Sequence, residues 1–278
     1  MKTIDLSWFG NLFKSEQANI TVSTAFDRNY LQYGKILLES IQKNSPDVKV
    51  KLLVVNTPEK DLEELHRYPN VEIFAENLDF VHPYEQRLYV MARRIFFVNQ
   101  LRHDPSIENL LQLDADLIIR KNLNRFGKLY QKGEFLIVAR PKMRHAELRL
   151  SMGVVGLTNS DRAKALTQEW TYRFRDLPQE ALDSKYVDQL TLWQAYEKIG
   201  GEEGIKLVNL QPPYIGESGN TYIRVFCATK NAKGNQKLVK ELNQYADDRL
   251  VDAPSNAPPN PQEGGIFLRK ELLLDRLM

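Results

Sequence analysis

Two aspartates separated by one alanine close an apolar run, Leu110 to Leu117, read as LLQLDADL. In an extended chain positions i and i+2 point the same way, so Asp114 and Asp116 are expected side by side at a strand end. Leu111, Leu113, Ala115 and Leu117 then share the opposite, core-facing side. Two adjacent carboxylates repel one another unless something neutralises them. A hard divalent cation, Mn²⁺ or Mg²⁺, is the natural partner for oxygen ligands of this kind. Such an ion leaves coordination sites open for phosphate oxygens and neutralises the charge that builds on a diphosphate leaving group. Two further residue types suit that chemistry. Asp27 follows the first apolar run, and Arg93 and Arg94 stand in a helix just before the aspartates. Guanidinium grips phosphate in a forked geometry.

The elements that must position these residues read as alternating strands and helices. Strands are expected at 19–25, 48–56 and 71–75, with helices at 30–41, 58–68 and 84–101 between and after them. A β-α-β-α-β order implies a parallel sheet with helices on its faces. In such a sheet the ligand crevice lies at the carboxyl ends of the strands. Asp27, Asp114 and Asp116 are expected to meet there despite their separation in sequence. Downstream, the patterns give a short helix at 124–131, strands at 135–139 and 151–157, helices at 160–175 and 187–199, and last strands at 205–210 and 222–227. Ser160 stands where it would cap its helix. A basic segment, Arg140 to Leu150, carries Arg140, Lys142, Arg144 and Arg149 against Glu147. It is a candidate lip over a diphosphate, or a contact for an acidic acceptor.

The chain has 278 residues, 42% hydrophobic and 27% charged, and a net charge of +2. That balance is globular and shows no excess suited to nucleic acid. One cysteine, Cys227, excludes an internal disulfide. The first residues lack the features of a signal peptide, and no stretch approaches the roughly 20 apolar residues of a membrane span. A soluble, cytoplasmic protein is therefore expected. Three parts follow: an N-terminal segment at 1–18, an α/β domain at 19–234, and a C-terminal part at 235–278. The last holds a helix at 236–245, a proline-rich linker at 253–265 and a short amphipathic tail. The tail is expected to dock on this chain or on a partner, so an oligomer formed through it is possible.

Around LLQLDAD the chain resembles nucleotide-sugar glycosyltransferases of the GT-A fold, whose DxD motif binds metal. The order of motifs resembles the family of glycogenin and the bacterial lipopolysaccharide galactosyltransferases, glycosyltransferase family 8. Ala25-Phe26-Asp27-Arg28-Asn29-Tyr30 is similar to the family's first-strand motif, which holds base and ribose. Ala92-Arg93-Arg94 falls where the family places an arginine that reaches the sugar nucleotide. Ser151-Met152-Gly153-Val154 resembles the segment that frames the donor sugar, although the family usually has asparagine in place of Ser151. Asp188-Gln189 resembles the pair beside the reactive carbon.

The resemblance spans 19–227 and implies a GT-A, Rossmann-like mixed sheet and a retaining hexosyl transfer from a UDP-sugar. It implies Asp114 and Asp116 on the metal, and Ala25, Asp27, Asn29, Tyr30, Arg93 or Arg94, Asp114, Ser151 and Gly153 around the nucleotide sugar. Asp188 and Gln189 would stand at the reacting sugar. The family's third metal ligand is a histidine near the end of the domain, followed by a lysine on the diphosphate. The corresponding stretch, 225–234, has no histidine; Cys227 stands in that region, and Lys230 or Lys233 is left for the diphosphate. The acceptor, whether saccharide, lipid-linked or protein, is not legible. A catalytically silent sugar-nucleotide binder and an interaction scaffold are the alternatives on the same fold.

Overall fold

The computed structural model describes residues 19–80, 82–184, 186–216, 220–225 and 270–277. The first half alternates strictly. Strand β1 (Ile20–Asp27) leads through a 3-10 turn (Arg28–Tyr30) into α1 (Leu31–Asn44), then β2 (Lys49–Val55), α2 (Glu59–Leu65), β3 (Val71–Glu76) and α3 (Pro83–Arg102). Two short strands follow, β4 (Asn109–Leu113) and β5 (Leu117–Ile119), and then α4 (Gly127–Tyr130). Strands β6 (Phe135–Ala139) and β7 (Leu150–Thr158) enclose the basic segment, which carries a 3-10 turn at Ala146–Leu148. Then come α5 (Asp161–Asp176), α6 (Val187–Lys198), α7 (Gly201–Gly204), β8 (Leu207–Asn209), β9 (Ile215–Gly216), β10 (Ile223–Val225) and α8 (Lys270–Leu277).

Seven strands form one sheet in the order β3-β2-β1-β4-β7-β6-β8. Strands β3, β2, β1 and β4 run parallel, β7 runs against β4 and β6, and β8 is parallel to β6. The fold is thus mixed α/β and mostly parallel, with helices on both faces. A smaller sheet, β5-β10-β9, lies beside it.

Both faces of the large sheet are buried, and alternate residues feed alternate cores. Leu53, Val55, Leu110, Phe135 and Ile137 pack with α3, α5 and α6 on one side. Leu52, Val54, Leu111, Leu113 and Leu136 pack with α1 and α2 on the other. Gly34 on α1 is what lets the Phe26 ring lie flat beneath that helix, since a β-carbon there would overlap the ring. Ser160 caps α5, its hydroxyl accepting from Ala163 N at 3.1 Å. The C-terminal tail docks on this chain: Leu273 and Leu277 of α8 are buried in the core beside α3. The expected helix at 236–245 and linker at 253–265 lie outside the described residues. No helix among the described residues is long and apolar enough to cross a membrane.

The strand order turns back between β1 and β4. From β1 the chain steps outward to β2 and β3, then crosses to β4 on the other side. The loops leaving β1 and β4 therefore diverge and open a crevice at the carboxyl edge, which is where ligands bind in open α/β sheets. Thr24 of β1 pairs in register with Leu113 of β4. Asp27 and Asp114 both lie just beyond that pairing, on the crevice.

Candidate active site

The first corner of the crevice is the end of β1. Asp27 is 5% exposed. Its Oδ1 accepts from the Asn29 backbone N at 2.9 Å. Its Oδ2 accepts from Asn29 Nδ2 at 3.3 Å and from Gln86 Nε2, on α3, at 3.0 Å. Asp27 thus accepts from three neutral N–H donors. Ala25, one turn of the pleat earlier, packs against the α3-side core. Tyr30 is 42% exposed and tilts against Tyr33 with 6.0 Å between ring centroids. Burial raises the Tyr30 hydroxyl pKa first, and the charges of Asp116, Asp27 and Asp114 add to it, while Arg87 opposes them. Tyr33 is raised by burial and by Asp116. The charge of Asp116 thus bears on both rings.

The second corner corrects the extended reading of LLQLDADL. β4 ends at Leu113, Asp114 to Asp116 form a turn, and β5 begins at Leu117. The break has a topological cause: β4 belongs to the large sheet, whereas β5 pairs with β10 in the small one. The turn still leaves the carboxylates close together. Asp116 has its pKa pushed up to about 7, first by burial and then by the charge of Asp114. The turn is anchored by Asp114 N, which donates to Gly153 O at 3.0 Å. A register shift between Ile137 and Val138 lets β7 part from β6 at this point, and Ser151 pairs with Val138 beyond it. Gly153 is thereby set against the acid: a β-carbon there would lie 3.7 Å from Asp114 Oδ2.

Arg94 joins this corner to α6. It donates through Nη1 to Asp114 Oδ1 and through Nη2 to Asp188 Oδ2, the latter at 2.6 Å. Asp188, in the first turn of α6, is 7% exposed. Burial raises its pKa, and Arg94 opposes the rise. Two carboxylates therefore pair with one guanidinium, and the charge of Asp116 also bears on it.

No family model matches this chain, and no curated protein does. Among solved structures it is similar to the glycosyltransferase GlyE of Streptococcus pneumoniae TIGR4, with 15% identity and a TM-score of 0.48 over 70% of this chain and 45% of that one. The apo form of GlyE gives 15% identity and a TM-score of 0.48 over 71% and 46%. The chain thus spans less than half the length of the GlyE chains.

Several expected site residues have other partners. Arg93 turns away from the crevice: its Nε donates to Glu76 Oε1 at 2.8 Å, and Tyr89 Oη donates to Glu76 Oε2 at 2.9 Å. Helical geometry requires this, because consecutive residues point about 100° apart. Arg94 in turn is paired with two acids rather than left free for phosphate. The Gln189 amide, oriented to satisfy its surroundings, donates to Leu150 O at 2.7 Å and Glu147 O at 3.2 Å. It ties α6 to the start of β7, beside the Ser151–Gly153 strand. Cys227, Lys230 and Lys233 lie outside the described residues.

The residues that pattern reading missed are Gln86 and Asn56. Both are ordinary amides in sequence, and only the packing of α3 against the ends of β1 and β2 gives them meaning. The basic segment occupies the same edge of the sheet, since it links the end of β6 to the start of β7. Arg140, Lys142 and Arg144 are exposed there. Arg149 is held against the Trp193 ring at 4.8 Å. A separate cavity of about 530 Å³ between the far ends of α5 and α6 is lined by Arg173, Asp176, Trp193 and Lys198. None of the crevice acids lines it.

The acid pair fits a divalent cation of the Mn²⁺ or Mg²⁺ class. Asp116 is half-buried beside Asp114, Arg94 only partly offsets their charge, and the side of Asp114 that carries Oδ2 faces a glycine. Among the described residues there is no group of three or more metal-ligating side chains. Water would then complete the shell, as Mg²⁺ sites commonly allow.

Proposed function

We propose that this chain is a GT-A-type glycosyltransferase that moves a hexose from a nucleoside diphosphate, most readily UDP, to an acceptor. The observation that carries the reading is the under-compensated Asp114/Asp116 pair next to Asp27 at the β1/β4 switch point. Asp114 and Asp116 would hold Mn²⁺ or Mg²⁺. The ion, when bound, neutralises charge on the departing diphosphate.

The remaining roles belong to the chain itself. Asp27 accepts hydrogen bonds from Asn29 and Gln86, which hold its orientation. It suits a base that presents a ring N–H, as uracil does, and repels one that presents a lone pair there, as cytosine does. Tyr30 gives a partly exposed ring beside it for base or ribose. Ser151 and Gly153 border the acid pair and would frame the sugar. Arg94 would orient Asp188 toward the sugar, while Gln189 fixes the strand that carries Ser151. No side chain is assigned as a covalent nucleophile, so positioning and electrostatics supply the rate. Family resemblance adds retention of configuration and a diphosphate contact from Lys230. The exposed basic loop at the crevice edge suits an anionic group on donor or acceptor.

Release of UDP from a panel of UDP-hexoses in the presence of Mn²⁺ tests the reading. Turnover with at least one donor is expected, and CDP is expected to compete far less well than UDP. A second reading, a silent sugar-nucleotide binder, draws on the Arg94 bridge, which already engages Asp114 and Asp188. UDP binding without turnover on any donor would favour it.

A further inference from the structure

The hydrogen bonds around Asp27 do not end at Gln86. Asn56, the residue after β2, has φ of 53°, in the left-handed region where asparagine is among the few non-glycine residues tolerated. That conformation turns its amide along the crevice edge. Asn56 Oδ1 accepts from Leu78 N at 2.8 Å, and Asn56 Nδ2 donates to Leu78 O at 2.8 Å. The side chain thus completes a backbone-like pair with the loop after β3. Asn56 Nδ2 has a second proton, which it gives to Gln86 Oε1 at 3.1 Å. This fixes which end of the Gln86 amide is oxygen. The nitrogen must then face Asp27 Oδ2, at 3.0 Å. Every link has one donor and one acceptor, and none can reverse without placing two acceptors together.

We infer that Asn56 and Gln86 form a positioning relay that sets the orientation of the Asp27 carboxylate toward the nucleotide. The relay joins the ends of β1 and β2, the loop after β3, and α3. It starts at a backbone position with unusual geometry and ends at the acid assigned to the base. Neither amide needs to touch ligand. Their effect passes through Asp27, whose Oδ1 also holds the Asn29 N–H. The nucleotide part of this inference rests on the glycosyl-transfer reading, but the relay itself does not.

The test uses the full chain in four forms: native, Gln86→Leu, Asn56→Gly and the double variant. Glycine keeps the left-handed backbone and removes only the amide. The first readout needs no ligand. Hydrogen exchange at the Asn29 amide is expected to speed up about tenfold in Gln86→Leu, as expected when a charged acceptor loses one of its donors. Asn56→Gly should act in the same direction, and the double variant should add nothing, because Asn56 acts only through Gln86. The second readout is donor kinetics. KM for the UDP-sugar should rise about tenfold with kcat nearly unchanged, since the contact is remote from the reacting bond. Unchanged Asn29 exchange in Gln86→Leu, or fully additive effects in the double variant, would overturn the relay. A relay visible in exchange but with no effect on KM would overturn its role toward the nucleotide. Native protein that neither binds UDP nor turns over a donor would instead overturn the functional reading.

Discussion

The two corners of the crevice hold acids in opposite ways. At Asp27 the carboxylate is held by neutral amides, accepting from Asn29 and Gln86. At the Asp114–Asp116 turn Asp114 shares one guanidinium with Asp188, and Asp116 is pushed up to about 7 by burial and by Asp114. The first arrangement is complete without ligand and favours one fixed geometry. The second carries excess negative charge that a cation would relieve. The proposed recognition of a neutral base and neutralisation of a diphosphate would use this division, and the β1/β4 switch point brings the two corners to one crevice.

The largest break in this comparison comes from Arg94. Arg94→Met leaves the buried Asp188 and the half-buried Asp114 without a counter-charge. Stability is expected to fall by about 3–5 kcal/mol, or roughly 10 °C in Tm for a chain of this size. Adding Asp188→Asn should restore part of it. A Tm within a degree or so of native would mean that the bridge does not hold the charged corner together.

Next in size is Asp114→Asn. It removes a proposed cation ligand and lowers the charge beside Asp116. Mn²⁺-dependent turnover should drop on the order of a hundredfold or more, and full activity in this variant would remove the pair from the mechanism.

The third prediction concerns pH. Asp116 lies above its ordinary value of 3.8, at about 7, in the fold. A carboxyl raised by folding destabilises the fold when ionised; the cost is full above the folded pKa and absent below the unfolded one. With chelator present, the protein should gain stability as pH falls from about 7 toward about 4, relative to Asp116→Asn. Parallel pH–stability curves for the two proteins would refute this assignment.

The smallest effect separates the adjacent arginines. Arg93→Ala loses a half-buried pair with Glu76. It should cost about 1 kcal/mol and leave UDP affinity unchanged. A tenfold loss of UDP affinity would place Arg93 back at the ligand.

Much of this was legible before any coordinates. The apolar alternation of β1, β2 and β4 and the interleaved helices dictate the parallel half of the sheet, and that topology brings Asp27 to Asp114. What escaped reading depends on directions that spacing does not carry. LLQLDADL is continuous in hydrophobicity, yet β4 and β5 belong to different sheets, and the turn between them appears only when β10 arrives from a distance of about a hundred residues. Arg93 and Arg94 are equivalent as letters; the rotation of α3 separates them. Gln189 reads as a polar group near a sugar, but the backbone of Glu147 and Leu150 lies within its reach. Gln86 and Asn56 carry no charge and no motif, so nothing in the string marks them.

Calorimetric titration of UDP into the full chain, with chelator and then with Mn²⁺, tests the central claim most directly. Measurable binding that strengthens at least about tenfold with Mn²⁺, and loses that gain in Asp114→Asn, is the predicted result. No UDP binding under either condition would contradict the account.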